Sequence, residues 1–98
     1  MTMIDIVSKI SSCAAALRRE GVEHLSVFGS RARGDARADS DLDVLIDIAP
    51  NNRFSLLNLS GVALLIEDVT GVPTQVVLRR SAPQAFLQRI SDDLVKVF

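Results

Sequence analysis

The sequence predicts an α/β fold of α+β character, a small sheet flanked by helices, on three observations. Segments with helical apolar spacing alternate along the chain with short β-rich segments. The stretch Asp41 to Ile48 alternates Leu42, Val44, Ile46 and Ile48 against Asp41, Asp43, Leu45 and Asp47, a period of two. The segment after it is long enough for a crossover helix leading to a parallel neighbour. With 98 residues and 48% apolar content the chain can build one core but not two, so residues 1–98 read as a single domain.

The first element is a helix of about five turns, from the stripe Met3, Val7, Ile10, Ala14 and Leu17, stopped by Gly21 after Arg18, Arg19 and Glu20. His24 to Phe28 is a short strand that delivers the chain into the turn Gly29-Ser30. Arg31 to Gly34 forms a short helical segment, and Asp41 to Ile48 is the clearest strand. Ala49, Pro50, Asn51 and Asn52 make a turn, after which Phe54 to Val69 is a second long helix, weakened at Gly61 and stopped by Gly71. That helix is apolar on more than one side, and burial within the fold is the favoured reading. Val72 to Leu78 is a third strand, Ala82 to Ile90 a last helix with Pro83 in its first turn, and Leu94 to Phe98 closes as helix or short strand.

Composition narrows the function classes. Eleven basic residues against twelve acidic ones leave no broad positive footprint for nucleic acid. No Trp, no Tyr and only four Phe leave few platforms for unstacked bases, so no direct nucleic-acid contact is expected. A single cysteine, Cys13, excludes an intramolecular disulfide and a cysteine-based zinc site and fits a reducing, cytoplasmic setting; beside the first helix's apolar stripe it reads as a small buried hydrophobe. The longest apolar run, Val62 to Ile66, is far short of the roughly 20 residues that a membrane helix needs. His24 reads as a surface or packing residue, and Arg79-Arg80 as a solvated strand end.

The chemistry concentrates in Gly29-Ser30, followed by Arg33-Gly34 and then by Ser40-Asp41-Leu42-Asp43. A glycine-serine turn opening a helix can present backbone N–H groups and a hydroxyl to phosphate oxygens. Asp41 and Asp43, two apart on a strand, project to one face with Cα atoms about 7 Å apart, a spacing that suits magnesium shared with a triphosphate. With a second ion, one cation activates a hydroxyl while the other holds the departing pyrophosphate, so the reaction implied is nucleotidyl transfer. Arg31 and Arg33 either meet phosphate or brace the turn through Asp35, Asp39 or another acid, with at least one expected to be structural.

These two motifs and their spacing resemble the signature of the minimal nucleotidyltransferase (MNT) family, within the DNA polymerase beta superfamily, and the resemblance spans nearly the whole chain. It implies a small mixed sheet in a palm-like nucleotidyltransferase fold, with Gly29, Ser30, Arg33 and Ser40 on the nucleotide and Asp41 and Asp43 on magnesium. It also implies ATP as substrate and, as partner, a HEPN-domain toxin, which such proteins oppose as antitoxins and some modify by passing AMP to a tyrosine hydroxyl. One departure stands out. Where catalytically complete members carry a third carboxylate on the later strand, this chain reads Thr74-Gln75-Val76-Val77. Gln75 is neutral and cannot take a proton from the attacking hydroxyl. Asp47 shares Asp43's face but lies about 13 Å along the strand, and Glu67 and Asp68 are more remote.

Two functions therefore compete. One is an adenylyl transferase acting on a hydroxyl of the toxin. The other is a non-catalytic antitoxin that binds and masks its partner with the helix from Phe54 to Val69. A small-molecule modifying enzyme is a third, weaker reading, because the chain has no further domain to enclose an acceptor unless it forms a homodimer.

Overall fold

The computed structural model describes residues 1–98. Its centre is a four-stranded mixed sheet in the order β3-β2-β1-β4, built from β1 (Val22–Phe28), β2 (Leu42–Ile48), β3 (Thr74–Leu78) and β4 (Val95–Lys96). β1 runs antiparallel to both β2 and β4, whereas β2 and β3 are parallel and joined through the helix α4 (Leu56–Thr70). The tail thus ends as strand, extended by bonds between Leu25 and Val97 and between Leu25 and Phe98. No helix is long and apolar enough to cross a membrane.

The alternation in β2 decides how the layers stack. Leu42, Val44, Ile46 and Ile48 face the main core with Leu25 and Val27 of β1, covered by Ile6, Ile10, Leu17, Val62 and Ile66 from three helices. Leu45, the one apolar residue on the acidic side of β2, joins Phe28 and Ile90 in a smaller cluster under α5 (Gln84–Ile90). The sheet is therefore covered on both sides, but the second cover is partial and leaves the Asp43 end of β2 open.

The expected five-turn helix is two helices, α1 (Met3–Ser12) and α2 (Ala14–Glu20), broken at Cys13 with φ −110° and ψ 17°. Side chains compete with the backbone ladder there: Ser12 Oγ donates to the Lys9 carbonyl at 2.5 Å and Cys13 Sγ to that of Ile10 at 3.3 Å. Within α1 the buried face is centred on Ile6 and Ile10 rather than on Met3 and Val7. Cys13 is half-buried, and burial pushes its thiol pKa up, which disfavours the nucleophilic thiolate.

α4 corrects a second expectation. Only Val62, Ile66 and Thr70 are buried, while Leu56, Leu57 and Leu64 are 82%, 83% and 59% exposed. One stripe of this apolar helix packs inward, with Leu59 and Leu65 partly buried beside it, while Leu56, Leu57 and Leu64 face water. A reciprocal Ser55–Asn58 capping box starts the helix and Gly71, with φ +72°, ends it. Gly71 faces open space, so Gly71→Ala is expected to cost only its left-handed strain, about 1 kcal/mol or about 5 °C in Tm by thermal denaturation.

Candidate active site

β1 ends in extended backbone at Phe28, and the chain turns at once into the short helix α3 (Gly29–Arg33). Gly29 makes that turn with φ +78°, a region that side chains disfavour. Its bare Cα is required for a second reason. Asp43, paired with Phe28 across the β1–β2 ladder, lays its carboxylate against Gly29, and a Cβ there would collide with the nearer oxygen and sit 3.3 Å from Cγ. Ser30 follows in the first turn of α3, where N–H groups have no intrahelical partner. The carbonyl of Ser30 accepts from Gly34 and Asp35, which closes the turn at Gly34 with φ +85°.

Asp41 lies just ahead of β2 and is exposed, Leu42 between the two acids is fully buried on the opposite side, and Asp43 is half-buried. The Asp43 pKa is raised above its ordinary value by burial first and by the Asp41 charge second, with Arg33 opposing. Two carboxylates thus crowd each other, and the nearest opposing cation is already engaged: Arg33 binds Asp35 at 3.2 Å and Asp93 at 2.9 Å, and these partners hold it protonated. This uncompensated negative pair, next to the free N–H groups of α3, fits a divalent cation that shares its shell with phosphate oxygens and water. Asp41 and Asp43 would hold it. Nowhere in the chain do three His, Cys, Asp or Glu side chains converge as a ready-made cage.

The parallel register places Gln75 directly beside Asp43. Residues paired in this way share a face, so the neutral amide occupies the position next to the acid that the sequence marked for a third carboxylate. Two of the three alternative acids are engaged elsewhere. Asp47 is paired with Arg79 at 2.6 Å toward the far end of β2, and Glu67 accepts the Thr74 N–H at 2.9 Å as a cap on β3.

The remaining motif residues build the loop that brings the two halves together. Arg31 donates through Nε and Nη2 to the Ser40 carbonyl at 3.1 and 2.6 Å, and Ser40 Oγ accepts the Arg37 N–H at 2.8 Å. Arg31 therefore has the structural part expected of one arginine of the pair, and Ser40 is the buckle of the loop. Arg80 is tied to the carbonyls of Ala49 and Asn52 at 2.8 and 2.9 Å, so Arg79-Arg80 is a pinned corner rather than a solvated end. The largest cavity, about 580 Å³, lies between the N-terminus and residues 31–38 and includes neither carboxylate, so chemistry and not concavity locates the site. Sequence reasoning missed Asp93, which fixes Arg33 from sixty positions away. Only its charge offered a signal.

Asp35 and Asp93 hold Arg33 together, and Asp35 is the more exposed. Asp35→Ala is expected to leave Tm nearly unchanged, since the pair is exposed, while Asp93→Ala frees the guanidinium from the body of the protein. Thermal denaturation and the salt dependence of ATP binding in the two variants check this.

The nucleotidyltransferase domain family matches residues 8–97 of the chain. The protein adenylyltransferase MntA of Thermococcus cleftensis is 31% identical over 98 residues, covering 99% of this chain and 97% of its own. A solved structure described as a minimal nucleotidyltransferase superposes with a TM-score of 0.81 at 27% identity, over 97% of this chain and 95% of that one. A Shewanella oneidensis complex of a tri-AMPylated HEPN toxin with its MNT antitoxin aligns with a TM-score of 0.66 over 100% of this chain and 72% of that one, and at 15% identity it is a likeness of fold.

Proposed function

This chain belongs to the nucleotidyltransferase domain family, and on that premise we propose that it transfers AMP from ATP to a hydroxyl, such as a tyrosine's, on a partner HEPN toxin, acting as the antitoxin. The observation that carries this reading is the Asp43 carboxylate resting against Gly29 at the start of α3, with Asp41 beside it. Phosphate donors and cation ligands then meet at one point.

Ser30 and the first N–H groups of α3 would hold and orient the triphosphate, while Asp41 and Asp43 would hold magnesium. When bound, magnesium supplies charge neutralisation of the phosphates and acidifies a nearby hydroxyl. The acceptor oxygen bonds to the α-phosphorus as the bond to the pyrophosphate oxygen breaks, and pyrophosphate leaves. The acceptor's proton has no carboxylate at position 75 to receive it and passes to water or to pyrophosphate. Turnover is therefore slow relative to a chain with an acid there.

A second reading, neutralisation by masking, is favoured by Gln75 and by the exposed Leu56, Leu57 and Leu64 of α4. The two separate in one experiment. The chain and its partner toxin are incubated with labelled ATP and magnesium, and the toxin's mass and activity are followed. Transfer adds one adenylyl group per modified hydroxyl and fails with the Asp41→Asn/Asp43→Asn double variant, whereas under masking that variant protects as well as the wild type.

A further inference from the structure

The strand that carries Gln75 lies at the edge of the sheet, with β2 as its only partner. Which backbone groups it leaves unpaired follows from two bonds. The Pro73 carbonyl accepts the Leu42 N–H across the β2–β3 ladder, so the groups of residues 73, 75 and 77 point toward β2 and those of 74, 76 and 78 point away. The Thr74 N–H agrees, since it is capped by Glu67 from outside the sheet. Val76 N–H and C=O and the Leu78 N–H are left facing outward.

An apolar groove of about 360 Å³ runs along this edge. Val76, Leu78 and Leu59 of α4 line one side, and Val77, Pro83 and Phe86 line the other. Val76 and Leu78 pack toward the main core and Val77 toward the α5 cluster, so the two walls belong to opposite faces of the sheet. A single groove takes side chains from both faces of a strand only by wrapping its open edge. An added strand would send alternate side chains to the two walls while its backbone paired with Val76 and Leu78.

We propose that this edge is the docking site for the acceptor, an extended polypeptide segment that joins the sheet beside β3 and presents its hydroxyl to Asp43. The proposal rests on the transferase reading and adds how the acceptor is recognised. Outward backbone donors and acceptors select a polypeptide over a small molecule, and apolar walls select apolar side chains. The groove spans Val76 to Leu78, and β3 itself runs from there back to Gln75 beside Asp43, which gives the register. Thr74 and Gln75 pair with Leu42 and Asp43, so a residue opposite Gln75 has its Cα about 5 Å from that strand and about 10 Å from β2, on the face that Asp43 occupies. A long hydroxyl-bearing side chain spans that gap. The residue two positions along the segment falls on the same face beside Val77 and Phe86, so the recognised pattern is a hydroxyl residue with an apolar residue two positions away.

The test uses the full chain and a synthetic peptide with a central tyrosine and valine two positions to either side. Binding is read by hydrogen–deuterium exchange with a non-hydrolysable ATP analogue, and adenylyl transfer by mass. Exchange at Val76 and Leu78 should slow about tenfold when peptide binds. N-methylation of alternate peptide amides, or aspartate in place of the valines, should raise the peptide KM about tenfold or more without moving the affinity for ATP. Pro83→Asp puts a charge on the groove wall while giving α5 the side-chain cap it lacks, and Val76→Pro removes an outward donor but no ladder bond. Both should weaken the peptide and not ATP, and Pro83→Asp keeps the test valid if the proline variant fails to fold. Unchanged exchange with peptide that is nonetheless modified, or indifference of transfer to N-methylation, overturns the proposal. So does protection that grows with protein concentration without peptide, which would make a second copy the occupant. Loss of Asp43-dependent ATP binding is a separate result and overturns the transferase reading itself.

Discussion

Asp43→Asn is expected to lower adenylyl transfer about a thousandfold while making the protein more stable. Cation ligation and phosphate neutralisation contribute several kcal/mol to such transition states, and each 1.36 kcal/mol is about tenfold in rate. The stability change has the opposite sign because the folded protein disfavours the ionised acid. Burial and the Asp41 charge raise the Asp43 pKa above 3.8. A raised acid pKa gives stability that is complete below the unfolded value and is lost as pH rises through the folded one. At neutral pH the ionised side chain is therefore a burden that asparagine relieves. The gain stays below about 1 kcal/mol, since Asp43 is only half-buried and solvent screens the repulsion. Thermal denaturation should show the variant above the wild type at pH 7 and level with it below pH 3.8. Magnesium with ATP should raise the wild-type Tm and leave the variant's unchanged. A variant that loses stability and keeps activity would remove Asp43 from the site.

Gln75→Asp is expected to act in the other direction and raise transfer about a hundredfold. A positioned base contributes about 10² to 10⁴ in rate, and Gln75, the one exposed residue of the edge strand, stands in register with Asp43. The new acid would meet two existing carboxylates, so without magnesium its repulsion should lower Tm, and magnesium should restore it. Gln75→Asn, which changes size without adding charge, serves as the control. Single-turnover rates at saturating ATP separate the chemical step from product release. No gain in the chemical step would mean that the proton has another route and that Gln75 is not what limits turnover.

The contrast between these substitutions explains how an active-site arrangement persists in so small a core. Asp43, buried and pressed by the Asp41 charge, costs folding energy where it stands, and Leu45, two positions beyond it, offsets part of that by joining Phe28 and Ile90 under α5. In the sequence Leu45 looked like an interruption of an acidic face. In the structure it marks where the covered half of that face begins.

Local chemistry was legible from residue order. Gly29, Gly34 and Gly71 announce themselves because left-handed backbone excludes side chains, and the period of two in Asp41 to Ile48 places both acids opposite the buried Leu42. The parallel crossover through α4 was readable as well, since a helix between successive strands is the usual connection of a parallel pair. Asp35 was also in view as a brace for the arginines, but the break at Cys13, the open leucines of α4, the Asp93 partner of Arg33 and the partners of Ser40 were not. Each depends on a competition between groups distant in sequence: a side chain against a ladder bond, one helix stripe against another for a single sheet face, one acid against another for a guanidinium. Residue order sets the candidates in such contests, but the outcome depends on distances that exist only once the sheet has closed, as when Gln75 comes to rest beside Asp43.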